Sequence, residues 1–112
     1  MSIVLIVEDS EPLGRMLTQT LSRAGHDAHW AATGAAAIER AGAATPDVVL
    51  VDLHLADATG TEVAARLRAE VPGCRVIGVS GEAPESDVIR QFDAFLLKPV
   101  GLDTLLGALS GP

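Results

Sequence analysis

Four short apolar runs in this chain end in residues equipped for chemistry. Ile3-Val4-Leu5-Ile6-Val7 leads into Glu8-Asp9, Val48-Val49-Leu50-Val51 into Asp52, Arg75-Val76-Ile77-Gly78-Val79 into Ser80, and Ala94-Phe95-Leu96-Leu97 into Lys98-Pro99. Three carboxylates at close quarters repel one another unless a cation joins them or their proton affinities rise. An all-oxygen set beside an ammonium group points to Mg²⁺ rather than zinc or copper, and Mg²⁺ takes one or two carboxylates together with waters and phosphoryl oxygens. Lys98 is the only lysine, against seven arginines. Its compact ammonium acts as a point charge on a phosphate or carboxylate, where arginine offers a planar fork. All of this requires the runs to end at one place.

A parallel sheet would bring them there. Unbroken aliphatic runs rich in β-branched residues read as strands buried on both faces, the pattern of a parallel sheet under helices. Between them lie helical signals. Ser10-Glu11-Pro12 starts a helix whose apolar face is Leu13, Met16, Leu17, Leu21 and Ala24, closed by Gly25. Met16 is expected in the core. Asp27 to Ala32 alternates as an edge strand does. Ala35 to Ala44 is Ala-rich helix anchored by Ile38, with Thr33-Gly34 as its entry and Thr45-Pro46 as its stop. Thr59 and Glu62 have capping-box spacing ahead of Val63, Leu67 and Val71, and Pro72-Gly73 ends that helix. Pro84 to Phe92 reads as a short helix, and Leu102, Leu105, Leu106 and Leu109 form the face of a last one, with Gly101 as its cap. Strand and helix alternate five times, which predicts an α/β, doubly wound (βα)5 parallel sheet of five strands with right-handed crossovers. In the flavodoxin-like order 2-1-3-4-5, the first and third strands are neighbours and a crevice opens at their carboxyl ends.

Composition narrows the class. The 112 residues suit one domain, 1–112, and 48 % of them are hydrophobic, enough for an independent core. A formal net charge of -7 disfavours contact with nucleic acid or anionic lipid. No apolar run is long enough for a membrane span, no basic leader precedes the first strand, and Cys74 is the only cysteine. These features predict a cytoplasmic domain without disulfides, with Cys74 packed as a small hydrophobe and His26 and His29 solvated.

Glu8-Asp9, Asp52, Ser80 and Lys98-Pro99, each at the correct strand end, resemble the receiver domain of two-component response regulators, over roughly residues 2 to 109. The resemblance implies a role for each matching position. Asp52 would accept phosphoryl from a histidine kinase, a phosphotransfer protein or a small phosphodonor. Asp9, Asp52 and the backbone carbonyl of His54 would hold Mg²⁺ (with Mn²⁺ as the alternative), and Glu8 would act directly or through a water. Lys98 would pair with one phosphoryl oxygen and Ser80 with another, Phe95 would be the aromatic switch, and Lys98-Pro99 would be a cis peptide. The chain would not be an enzyme beyond its own phosphorylation and dephosphorylation at Asp52. It would be a monomer or weak homodimer and would act on a downstream protein target. If whole, it would work by docking or by passing phosphate along a relay.

The sequence departs from the family at a few points. Ala56 stands where a proline is usual, which predicts a looser loop after the acceptor strand. His54 and Glu82 occupy places where the family tunes hydrolysis. Gln91-Phe92-Asp93 replaces a glycine-containing turn, so the fourth helix should be short or displaced, and the last ends early at Ser110-Gly111-Pro112. This alters the face of the fourth helix, fifth strand and last helix, where Glu85, Asp87, Arg90 and Asp103 are the expected charges. The alternative function is a pseudo-receiver, a binding module that never takes phosphate, although no site position is lost. A dehalogenase-like phosphatase would want an aspartate where His54 stands, and a flavodoxin would not place Glu8-Asp9 in its phosphate loop.

Overall fold

The structure is a computed structural model and describes residues 2–109; Ser110, Gly111 and Pro112 lie outside the described residues. Strands and helices alternate as β1 (Ile3–Val7), α1 (Glu11–Arg23), β2 (Asp27–Ala31), α2 (Gly34–Ala43), β3 (Val48–Asp52), α3 (Gly60–Glu70), β4 (Arg75–Ser80), α4 (Ser86–Ile89), β5 (Ala94–Leu97) and α5 (Leu102–Leu109). All pairings are parallel, in the order β2-β1-β3-β4-β5.

The pleat divides the apolar runs between two cores. Leu5, Val7, Val49, Val51 and Val76 face α2 and α3, where Ala37, Ala41, Val63 and Leu67 meet them. Val4, Ile6, Leu50 and Ile77 face the other way, against Leu21 of α1 and Leu105 and Leu109 of α5. A strand with both faces covered has no polar side, so β3 is buried at all five positions and β1 at four of five. β2, at the sheet edge, is buried only at Ala31 and ends one residue earlier than expected. Cys74 is buried in the first core.

Local signals set the helix boundaries. Ser10 caps α1 through the Leu13 N–H, Thr33 caps α2 through Ala36, and Thr59 with Glu62 forms a complete capping box on α3. Gly25, at φ 96°, makes the left-handed turn out of α1. Two expectations fail on α1. Met16 is 53 % exposed rather than core, and Ala24 is the exposed C-cap. Met16 lies five residues before Leu21, about 140° away around the helix, whereas Leu17 lies about 40° away and shares the buried stripe. His29 is not simply solvated either: it is half-buried, with Nε2 3.0 Å from Asp27 and Nδ1 against Arg40.

α4 shrinks to four residues instead of the span Pro84 to Phe92. Its N-cap, Glu85, makes no side-chain cap bond, and the Gln91 and Phe92 N–H groups bond back three residues to Val88 and Ile89, tightening the exit. That turn drops Phe92 into the core. Asp93 then does what a glycine turn would have done. Its carboxylate accepts the Val76 N–H at 2.8 Å and Arg68 of α3 at 3.3 Å, which anchors the start of β5.

Candidate functional site

The sheet register brings the chemistry together. Val7 pairs with Val51, Asp52 with Val79, and Ser80 with Leu97, so the next residues, Glu8 and Lys98, emerge on the carboxyl edge that carries Asp52 and Ser80. Adjacent strands are about 4.8 Å apart, so Lys98 must reach over β4, about 10 Å, to stand beside β3. It does so: Nζ donates to Glu8 Oε1 at 2.9 Å and to Asp52 Oδ2 at 3.1 Å. Glu8, Asp9 and Asp52 each offer a carboxylate oxygen within 4.8 Å of the others. Glu8 and Asp52 are buried and Asp9 is exposed.

The remaining polar atoms are tied to the backbone. Asp52 Oδ1 accepts the His54 N–H at 3.1 Å, and Glu8 Oε2 accepts that of Ser10 at 3.2 Å. The buried Ser80 hydroxyl accepts from the Glu82 N–H at 3.2 Å, while the Ser80 carbonyl accepts from the Lys98 N–H at 2.8 Å. Lys98-Pro99 is a cis peptide, as expected. Burial pushes the Glu8 carboxyl up; its bonds to Lys98 and Ser10 only partly offset this, and the Asp52 charge adds to it. Burial alone would lower Lys98, but the bonds to Glu8 and Asp52 outweigh it and raise the ammonium's proton affinity.

The donor set fits a divalent ion. Three carboxylates and one ammonium leave a formal charge of about -2, and every side-chain donor is hard oxygen, the preference of Mg²⁺, Mn²⁺ or Ca²⁺.

The loop after β3 is not loose despite Ala56. Leu55 N–H bonds the Ala58 carbonyl, His54 bridges Thr59, and Asp57 accepts the N–H groups of Gly34 at 2.9 Å and Ala35 at 3.1 Å. A carboxylate at the N-terminus of α2 thus does the tethering that a proline would do covalently. Nothing in the spacing of Asp57 and Gly34 along the chain signalled this contact. The two backbone bonds hold the Asp57 carboxyl below its ordinary value. With the folded value depressed, its contribution is complete above the unfolded value of about 3.9 and is lost as pH falls through the folded one. The stability gap between the wild type and Asp57→Ala should therefore stay constant from pH 5 to 8 and close below pH 4 in urea melts; a gap independent of pH would refute the tether.

His54 and Glu82 line a cleft of about 280 Å³ together with Ser80, Thr59 and Thr61. Phe95 is half-buried, edge-on to Phe92 with ring centroids 6.0 Å apart. Its ring occupies the space of the missing Gly78 side chain, where a Cβ would come within 2.8 Å of it.

A doubly wound α/β domain with an acid cluster and a lysine at the carboxyl edge has the architecture of receiver domains, which are phospho-accepting regulators. The chain belongs to the response regulator receiver domain family, whose profile matches residues 4–110. It is 34 % identical over 113 residues to the transcriptional regulatory protein KdpE of Mycobacterium tuberculosis, covering 97 % of this chain and 50 % of that protein. It is 36 % identical to a segment of the sensor histidine kinase AtsR of Burkholderia thailandensis, covering 95 % of this chain and 19 % of that one. This chain thus spans about half the length of KdpE. Among solved structures, the chemotaxis protein CheY4 of Vibrio cholerae superposes with a TM-score of 0.90 at 28 % identity, over 97 % of this chain and 96 % of that chain. A response regulator from Burkholderia pseudomallei, solved with a phosphorylated aspartate and a calcium ion, gives 0.89 at 28 % identity, over 98 % of this chain and 67 % of its own.

Proposed function

We propose that residues 1–112 form one receiver domain in which Asp52 takes a phosphoryl group from a histidine kinase or phosphotransfer protein and passes the change of charge to a downstream protein. The observation that carries this is the Lys98 ammonium bonded to both Glu8 and Asp52, with Asp9 in the same cluster. Asp9, Asp52 and the His54 carbonyl would hold Mg²⁺, with Glu8 beside them. When bound, the ion would neutralise charge on the transferred oxygens.

The chain's own residues do the rest. One Asp52 oxygen forms the new O–P bond as the P–N bond to the donor imidazole breaks, and the electron pair returns to the ring nitrogen. Positioning and charge stabilisation dominate such transfers. Lys98 exchanges a carboxylate partner for a phosphoryl oxygen. The product adds roughly -1.5 to -2 of charge, which the Ser80 hydroxyl meets by donating a hydrogen bond. Drawing Ser80 inward moves its loop and biases Phe95, which lies against the same strand at Gly78. Water attack on the acyl phosphate resets the domain, with His54 and Glu82 lining the approach. Exposed Ile89, Leu97 and Leu102 on α4, β5 and α5 support that side as the docking face, with the domain a monomer or weak homodimer. No helix among the described residues is long and apolar enough to cross a membrane, and we place the domain in the cytoplasm, without direct nucleic-acid contact.

Thermal melts test the reading. Mg²⁺ at ten times its dissociation constant should stabilise by about 1.4 kcal/mol, raising Tm by about 5 °C, and beryllofluoride should raise it further. A pseudo-receiver that keeps the acid cluster could still respond to Mg²⁺ but would show no further shift with beryllofluoride.

A further inference from the structure

Trp30 is the only tryptophan in the chain. It is half-buried on the edge strand β2, and its indole Nε1–H donates to the main-chain carbonyl of Glu8 at 2.7 Å. The ring can sit there because residue 14 is glycine: a Cβ on Gly14 would lie 2.3 Å from Nε1 and 2.5 Å from Cε2. The indole is therefore wedged between the first turns of α1 and the peptide that joins Glu8 to Asp9.

That peptide is planar, so a bond that orients the Glu8 carbonyl also orients the Asp9 nitrogen and Cα. Glu8 is fixed at its other polar groups as well. Its N–H donates to the Ala31 carbonyl at 3.1 Å, Oε1 accepts from Lys98 and Oε2 from Ser10. Asp9, in contrast, is exposed and inherits its direction from the peptide before it. Partners behind metal ligands commonly change affinity by about 10–100-fold when removed.

We propose that Trp30 is a positioning residue for the acid cluster: its N–H fixes the Glu8–Asp9 peptide plane, Gly14 provides the notch, and the Asp9 carboxylate is thereby aimed at the cation. This rests on the reading of Glu8, Asp9 and Asp52 as a divalent-cation site. Because the indole bonds the peptide next to a ligand, cation binding should also change its emission.

Calorimetric titration with Mg²⁺ alone, beside urea melts, tests the proposal. Trp30→Phe removes the donor, and replacing Trp30 with 3-benzothienylalanine removes it at nearly unchanged shape. Gly14→Ala keeps the donor and displaces the ring. Each change should weaken Mg²⁺ about tenfold, and combining Gly14→Ala with Trp30→Phe should cost no more than either alone. A packing role would lower the urea midpoint and leave the Mg²⁺ affinity of the folded protein within twofold; that result, most clearly with the benzothienyl replacement, overturns the proposal while the cation site stands. Wild type that binds no Mg²⁺, although its indole N–H is protected from solvent exchange, would overturn the cation reading and this inference with it.

Discussion

Asp52→Asn is expected to take up no detectable phosphoryl group from acetyl phosphate or a phosphorylated donor, a loss of about a thousandfold or more, and to lose the beryllofluoride-dependent rise in Tm. The amide carries no negative charge to attack phosphorus. The surroundings of the position make the outcome diagnostic. Asp52 is one of three buried polar residues among those described, with Glu8 and Ser80, and its two oxygens are already assigned, one to Lys98 and one to the His54 N–H. An asparagine's single carbonyl oxygen can keep one of these bonds while its NH2, a donor, faces the other donor, and Lys98 retains Glu8, so the fold should persist while the chemistry stops. The Asp52 charge also helps to push Glu8 up, so Glu8 in the variant should titrate lower than in the wild type when followed by carbonyl NMR. Retention of label by Asp52→Asn would move the acceptor elsewhere.

Lys98→Ala should produce the largest stability change among site variants. It leaves Glu8 buried without its cation and Asp52 with one bond fewer. Removing one partner of a fully buried pair costs about 3–5 kcal/mol. Lys98 retains 29 % of its side-chain exposure, so water screens part of the loss and about 2 kcal/mol is the expected figure. The pH dependence has a definite sign. Glu8 already binds its proton more tightly folded than unfolded, and without Lys98 it should do so more strongly. Protonating the folded state then relieves the unpaired charge, and the deficit shrinks as pH falls through the raised Glu8 value. Mg²⁺ should recover part of it at pH 8 by replacing the missing positive charge. Urea melts at pH 5 and pH 8, with and without Mg²⁺, check all three statements; a deficit equal under every condition would mean that Lys98 contributes packing rather than charge.

Other features of the chain would move these results only slightly. The exposed pairs Arg15–Glu11 and Arg66–Glu70 are i,i+4 contacts on helix surfaces and contribute little. Among the described residues no buried side-chain nitrogen or oxygen lacks a hydrogen-bond partner. The raised charge cost of Glu8 is therefore not accompanied by unsatisfied hydrogen bonds elsewhere among the described residues.

The strand assignments and the convergence of Glu8, Asp9, Asp52, Ser80 and Lys98 were legible in the amino-acid order because they depend on short-range pattern. An aliphatic run buried on both faces leaves no polar alternation, a capping hydroxyl sits three residues before its N–H, and parallel connectivity forces every strand to finish on one side. The orientation of α1 was less legible, since a face one residue too wide admits Met16, which only the packing of Leu17 and Leu21 against the sheet excludes. What the chain could not announce in one dimension are contacts between residues far apart in sequence whose types are unremarkable singly: Asp57 capping α2 across 22 and 23 positions, Asp93 closing onto Val76 and Arg68, and Trp30 donating to a main-chain carbonyl 22 residues away. Backbone carbonyls and N–H groups are present at nearly every residue and carry no sequence signature, so which one a side chain meets is decided only when helices and strands settle against each other.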